Sequence, residues 1–242
     1  MIFLIITFLL TGFFSGLIAG LLGVGGGIII VPVSYFILLH LGYSIDIVMH
    51  VSVASSLGII VFTSISSILS HLKLKNVDLK IIYKWFIGIV FGSIVGSFLA
   101  SRINGEVLVL IFISLAFLIS LNMFFQKNIN TIGKNFPQSF TINFFISFSI
   151  GLFSSLIGIG GGSFSVPALT IFSKKMHQAV GTSAVLGFFI ALPGAISYIL
   201  LGQNVQDLPP YSIGYVNILI VVLVISTSIF TANIGAKLSS KI

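Results

Sequence analysis

Apolar residues run along this chain in nine stretches, at about 2–22, 28–41, 51–70, 80–101, 106–125, 140–157, 163–173, 179–201 and 212–236, with short polar breaks between them. A helix of about 20 apolar residues crosses the roughly 30 Å hydrocarbon core of a bilayer. The pattern therefore predicts an all-α polytopic transmembrane bundle. Two stretches are too short: at 1.5 Å per residue, 28–41 and 163–173 would cover only about 21 and 16 Å. Each follows directly on a glycine cluster, Gly23-Val-Gly-Gly-Gly27 or Gly158-Ile-Gly-Gly-Gly162. That predicts a tight bend at membrane depth, a Gly-rich hairpin that either crosses fully or re-enters. Lipid offers main chain no hydrogen-bonding partners, so backbone at such bends must be buried in protein or line a cavity.

The two clusters belong to a duplication. Gly16 pairs with Gly151, His50 with His177 and Gly96 with Gly235, at separations of 135, 127 and 139 residues. Residues 1–105 read as a first transmembrane repeat and 140–242 as a second, with 106–139 a linker helix and polar loop. Duplicated hydrophobic units of this kind are a frequent sign of a secondary transporter.

Composition supports the membrane reading. The chain is 57% hydrophobic and only 6% charged, where soluble domains carry about a quarter charged residues. With 242 residues spent on spans, little is left for an extramembrane domain. The residues at 2–22 read as a retained first helix, with a cleaved signal peptide the alternative. There is no cysteine, which excludes disulfides, thiolate metal sites and cysteine nucleophiles. The net charge of +7 forms no continuous basic face of the kind nucleic acid requires.

Positive charge instead marks topology. Lys73, Lys75, Lys80 and Lys84, then Lys127 and Lys134, then Lys174 and Lys175, and finally Lys237 and Lys241 fall in four polar segments. Basic loops face the cytoplasm. Threading from them puts 42–50, 102–106 and 202–211 outside, the N-terminus outside and the C-terminus inside. The two repeats would then be inverted, in a multi-pass protein of the cell (inner) membrane.

Glycine runs that open a helix present backbone N–H groups, and the helix dipole adds to their pull on an anion. Gly25, Gly26, Gly27, Gly160, Gly161 and Gly162 are therefore candidate substrate-binding residues; close helix packing is the competing reading. Ser55 and Ser56, and at the matching place Thr182 and Ser183, are candidates to add hydroxyls, against plain helix capping. His50 and His177 are candidates for proton sensing. His71 reads as structural, and Gly88, Gly92 and Gly96 as a packing stripe. The four carboxylates Asp46, Asp78, Glu106 and Asp207 all lie in or beside loops, which argues against a carboxylate proton relay. No motif for ATP hydrolysis, metal or nucleophilic catalysis is present. The reading is a transporter and not an enzyme, with no cofactor and no metal.

The two Gly-x-Gly-Gly-Gly…Pro units (ending at Pro32 and Pro167), the His50 and His177 segments and the Ser67…His71…Asn76-Val-Asp78 stretch resemble the sulfite exporter TauE/SafE family. Copy two carries Gly181-Thr182-Ser183 as the family does, whereas copy one has Ala54-Ser55-Ser56; Asn76 stands where a glycine is common. The resemblance implies an exporter of a small sulfur oxyanion such as sulfite or a sulfonate, its partners being that anion and the lipid bilayer. An uptake or channel-like pathway for another small solute, or a membrane assembly protein without transport activity, are the alternatives. Oligomeric state is open.

Overall fold

The structure, a computed structural model, describes residues 2–23, 25–125, 136–172 and 174–239. Among these, seven helices are long and apolar enough to cross a membrane: α1 (Ile2–Leu22), α3 (Ile45–Lys73), α4 (Leu79–Ala100), α5 (Gly105–Phe125), α6 (Phe140–Ile157), α8 (Met176–Leu201) and α9 (Ile218–Ser239). Two are short, α2 (Gly27–His40) and α7 (Gly162–Ile171), with 14 and 10 residues. The polytopic helical bundle expected from the hydropathy pattern is present, with both short helices directly after their glycine clusters. Pro32 and Pro167 lie inside α2 and α7. Lacking an N–H, each withholds the usual helical bond from the carbonyl four residues earlier, at Ile28 and Ser163.

The last stretch departs from expectation. Residues 212–236 were expected as one helix, but β1 (Ser212–Ile213) and β2 (Val216–Asn217) form an antiparallel hairpin first. Gly214 turns it at φ +55°. Asn217 ends the hairpin and starts α9. Its Nδ2 donates to the Pro210 carbonyl at 2.8 Å and to Ser212 Oγ at 3.0 Å, while its Oδ1 accepts the Ile220 N–H at 3.1 Å.

Large apolar side chains cover the outside of the bundle: Phe117 is 63% exposed and Phe230 71%. The interior mixes apolar side chains such as Leu57, Ile60 and Trp85 with small residues and hydroxyls, among them Ser52, Ser55, Ser56, Ser93, Ser97 and Thr182, all fully buried. This is the distribution expected where lipid is the solvent and helices associate through close packing and interhelical hydrogen bonds. The most buried span is α3, which packs against α8 at the centre. Around this pair, α1 packs along α9, and α4 along α6.

Glycine sets both outer contacts. A Cβ added at Gly20 of α1 would lie 2.6 Å from the Ala236 nitrogen of α9, and one at Gly92 of α4 would lie 2.9 Å from the Leu152 nitrogen of α6. The packing role expected for Gly88, Gly92 and Gly96 is what the contacts give. The duplication distributes the small residues in complementary fashion. Gly12, Gly16 and Gly20 correspond to Ser147, Gly151 and Ser155, while Thr227, Thr231 and Gly235 of their partner helix correspond to Gly88, Gly92 and Gly96.

The ends of the helices sort by charge. Lys174 Nζ pairs with Asp78 at 2.7 Å, Lys84 Nζ donates to Gln138 Oε1 at 2.8 Å, and Lys73 and Lys237 line one cavity of about 240 Å³. Basic positions from three of the four segments thus share one end; Lys127, Lys134 and Lys241 lie outside the described residues. At the other end the Asp46 carboxylate accepts the Gly105 N–H at 2.8 Å, and Leu4 and Ile5 share an apolar cavity of about 280 Å³ with Pro209, Pro210 and Tyr211.

Forcing side-chain volume into close-packed backbone costs about 1–3 kcal/mol. Gly92→Ala, whose methyl would collide with the Phe148 carbonyl, should lower the thermal midpoint in detergent. Gly187→Ala, with its nearest neighbour at 3.6 Å, should leave it unchanged. Equal midpoints for the two variants would contradict the packing role.

Candidate functional site

Both glycine clusters end a long helix through a left-handed residue that an L side chain would strain. Gly23 closes α1 at φ +70° and Gly158 closes α6 at φ +67°. The bends then diverge: Gly25 and Gly26 are again left-handed at +78° and +77°, whereas Gly161 is helical at −52°. Despite this, they meet. A Cβ on Gly25 would sit 2.8 Å from Gly160 Cα, and one on Gly27 would strike the Gly158 carbonyl and lie 2.9 Å from Ile159 Cα. The two main chains touch in the middle of the protein. Only residues without a side chain allow that approach.

Hydrogen bonds across this contact come in reciprocal pairs. Ser56 Oγ donates to the Gly158 carbonyl at 2.7 Å; its counterpart Ser183 donates to Val180 O at 2.8 Å and reaches Gly23 O, the counterpart of Gly158, at 3.4 Å. Each copy's serine therefore holds the other copy's bend. Ser55 Oγ accepts the Asn217 N–H at 2.9 Å, and Thr182 Oγ1 accepts the Asp78 N–H at 2.9 Å. Asn217 and Asp78 are themselves counterparts and cap α9 and α4. A third pair is His71, whose Nε2 faces the Gly20 carbonyl at 3.3 Å, and Tyr198, whose OH donates to Ser155 O at 3.4 Å.

Of the residues singled out in the sequence, Gly25, Gly27, Gly160, Ser56 and Ser183 are brought together around this contact. Gly26 starts α2 against Ser15, Gly161 faces Ile190, and Gly162 opens α7. Ser55 and Thr182 lie one residue back and anchor the starts of α9 and α4. An accepting hydroxyl still carries one O–H to donate. The histidines part company. His50 is buried, with Nδ1 against the Asp46 carbonyl, Nε2 2.9 Å from the Ala100 carbonyl and its ring stacked on Tyr215 at 5.1 Å. His177 is exposed at the start of α8.

A small cavity of about 10 Å³ adjoins the bends, lined by Gly23, Gly25, Ile60, Thr63, Ser67 and Gly187 among others. It has room for about one water molecule. Among the described residues no Asp, Glu, Lys or Arg is buried. Sequence reasoning passed over Thr63, Ser67 and Asn76 as site residues and read His71 as a helix-end residue, yet His71 is fully buried. The signal was there in polar residues at i, i+4 and i+8 (Thr63, Ser67, His71) of an apolar span, which is where function concentrates in membrane proteins.

The sequence profile described as "Sulfite exporter TauE/SafE" matches residues 8–242, across both bends and every paired contact above. The chain belongs to the TauE/SafE family. It is 32% identical over 236 residues to a probable membrane transporter protein of Haemophilus influenzae, covering 97% of this chain and 88% of that one. It is 30% identical over 237 residues to the probable membrane transporter protein MJ0441 of Methanocaldococcus jannaschii, with 97% and 86% covered. It is also 31% identical over 210 residues to the probable membrane transporter protein YunE of Bacillus subtilis, covering 79% of this chain and 77% of YunE. No solved structure matches the chain. Family and relatives make it a multi-pass membrane transporter of a small solute.

The Asp78–Lys174 bridge in this TauE/SafE chain gives a pH test. Partial burial alone would raise the Asp78 carboxyl, but the Lys174 ammonium and the Ile81 and Lys80 amides outweigh it and hold the carboxyl below its ordinary value. The pair's contribution is thus complete above the ordinary carboxylate range and is lost as pH falls through the lowered value. Exposed pairs are worth about 0–1 kcal/mol, while losing an N-cap costs about 0.5–2 kcal/mol. Asp78→Asn, which keeps the cap, should destabilise less than Asp78→Ala. Its difference from wild type should vanish in acid, as read from thermal midpoints across pH. A difference that persists or grows on acidification would contradict the assignment.

Proposed function

We propose that this protein carries a small anion, most closely a sulfite, sulfonate or related sulfur oxyanion, across the cell membrane, and that it does so as an exporter. The site is the meeting of the two bends: amide hydrogens of Gly25–Gly27 and Gly160–Gly162, with the remaining O–H groups of Ser55 and Thr182, while Ser56 and Ser183 give their O–H groups to main-chain carbonyls and hold the bends in place. One observation carries the reading: the bends abut at the centre, in a buried interior with no charged side chain among the described residues. Amide hydrogens there attract an anion without needing a cation that would trap it.

Two inverted repeats, 1–105 and 140–242, joined by 106–139, account for the reciprocal bonds. The inversion is supported by where the repeats begin. The start of α1 lies beside Pro209–Tyr211 at the end without lysines, and the segment leading into α6 lies beside Lys84 at the basic end. With the basic end cytoplasmic, the N-terminus is outside and the C-terminus inside. A monoanion leaving an inside-negative cell then gains about 2.3 kcal/mol per 100 mV. Export needs no coupling ion, in keeping with four carboxylates that all sit at helix ends or in loops. No catalytic step is part of this reading.

The same contact between bends would also serve packing alone, and one variant separates the two roles. At Gly161 an added Cβ would meet mainly the flexible Ile190 Cδ1, at 2.6 Å, so Gly161→Ala should fold and insert. Reconstituted in proteoliposomes with radiolabelled sulfite, sulfate and a sulfonate under an imposed potential, the wild type should move one of these anions. Gly161→Ala should move it at least tenfold more slowly. Unchanged flux in an inserted variant would remove the backbone site, and no potential-driven flux of any anion by the wild type would remove the anion assignment.

A further inference from the structure

The paired contacts make the two halves of the protein comparable position by position, and one pair of tracks breaks the symmetry. From the bends toward the end of α3, the face of that helix carries Thr63, Ser64, Ser67 and His71, and the chain then turns through Asn76. The corresponding positions on α8 and beyond are Ile190, Ala191, Gly194, Tyr198 and Tyr215. The correspondence is structural as well as numerical. The Asn76 N–H donates to the His71 carbonyl at 3.0 Å, and the Tyr215 N–H donates to the Tyr198 carbonyl at 3.3 Å.

One track is polar and underbonded. Ser67 is buried to 2% exposure, lines the small cavity beside the bends, and its Oγ has no partner. His71 Nδ1 and Asn76 Nδ2 are likewise buried without partners. With Nε2 of His71 facing the Gly20 carbonyl, and therefore carrying its hydrogen, Nδ1 is a bare acceptor in the neutral ring. Ser67 and Asn76 supply unmatched donors. Leaving such groups dry costs about 1–3 kcal/mol each, so a cluster of them marks a path that water or a hydrogen-bonding solute fills.

The other track is sealed. Ile190, Ala191 and Tyr198 are fully buried, and the Ile190 carbonyl is taken by Ser93 Oγ at 2.6 Å. The rings of Tyr198 and Tyr215 meet edge to face at 6.2 Å, and Tyr215 stacks on His50, which is fixed between α3 and the end of α4. Aromatic rings fill the space that on the polar side is left to Ser67, His71 and Asn76.

We propose that the solute exchanges with the bends along the Thr63–Ser67–His71–Asn76 face of α3, through the side of the membrane at which α3 ends, while the His50–Tyr215–Tyr198 stack closes the opposite half. This rests on the reading that the bends hold the solute. It adds which half is hydrated and what the solute meets there: two kinds of hydrogen-bond donor and one imidazole acceptor. That set is complementary to a small oxyanion bearing one acidic hydrogen.

The natural chain has no cysteine, so single cysteines can be read directly with a small, charged, membrane-impermeant thiosulfonate in sided vesicles. Lys80→Cys marks the face where α3 ends and Gln203→Cys the other. Thr63→Cys and Ser67→Cys should react only from the Lys80 face, at least tenfold faster than Ile190→Cys and Ala191→Cys, which should be protected from both faces. Two positions on each track keep the comparison readable if one variant fails to insert. Reaction of Ile190→Cys or Ala191→Cys as fast as Ser67→Cys, or of Ser67→Cys from the Gln203 face, would overturn the proposal. Reactivity does not depend on which solute is carried. Sided modification without anion flux would uphold the track and remove only the anion assignment.

Discussion

Main chain that leaves helical geometry inside a membrane has to find its hydrogen bonds and its neighbours within the protein. Here two such departures solve the problem by meeting each other. Gly25 lies on Gly160, Gly27 lies on Gly158 and Ile159, and Ser56 and Ser183 reach across to the carbonyls of the opposite bend. Much of the remaining architecture serves to hold that contact. The long central helices α3 and α8 bring the serines, while α1 and α6 deliver the glycines that end them. The outer pairs α1–α9 and α4–α6 use glycine against hydroxyl to bring four helices in close enough for the bends to touch.

The duplication explains why so few side chains can do this. One set of contacts, repeated with the copies exchanged, fixes both bends, both helix caps at Asp78 and Asn217, and both anchors at His71 and Tyr198. Symmetry of this kind suits a carrier whose two sides must each open to the same centre. The differences between copies then gain meaning. A polar residue stands at one position and an aromatic ring at its counterpart, so the two halves share a frame without sharing a lining.

Much of the fold was legible in the sequence, because lipid imposes a length and a composition on every span. The short stretches after Gly23 and Gly158 declared the bends. The hairpin at 212–217 was hidden. Its two-residue strands are too brief for alternation to register, and Tyr215 and Val216 read as ordinary span residues. The site was half legible. Candidate glycines and Ser/Thr pairs stand out because they occur twice, whereas His71 and Ser67 stand out only because their counterparts differ. A search for likeness passes over such positions. The ligand set also reads differently in three dimensions: Ser55 and Thr182 look equivalent to Ser56 and Ser183 along the chain, but one residue of helix rotation turns them to the caps of α9 and α4.

The central claim is that amide hydrogens at the two bends hold the solute. It is tested most directly by recording amide shifts of protein labelled with 15N at glycine alone, in detergent or lipid, as sulfite is added. The account predicts saturable shifts at Gly25–Gly27 and Gly160–Gly162, with Gly88, Gly92, Gly96 and Gly151 unmoved as internal references. Bend resonances that stay fixed under an anion the protein transports, or shifts no larger than at the packing glycines, would contradict it.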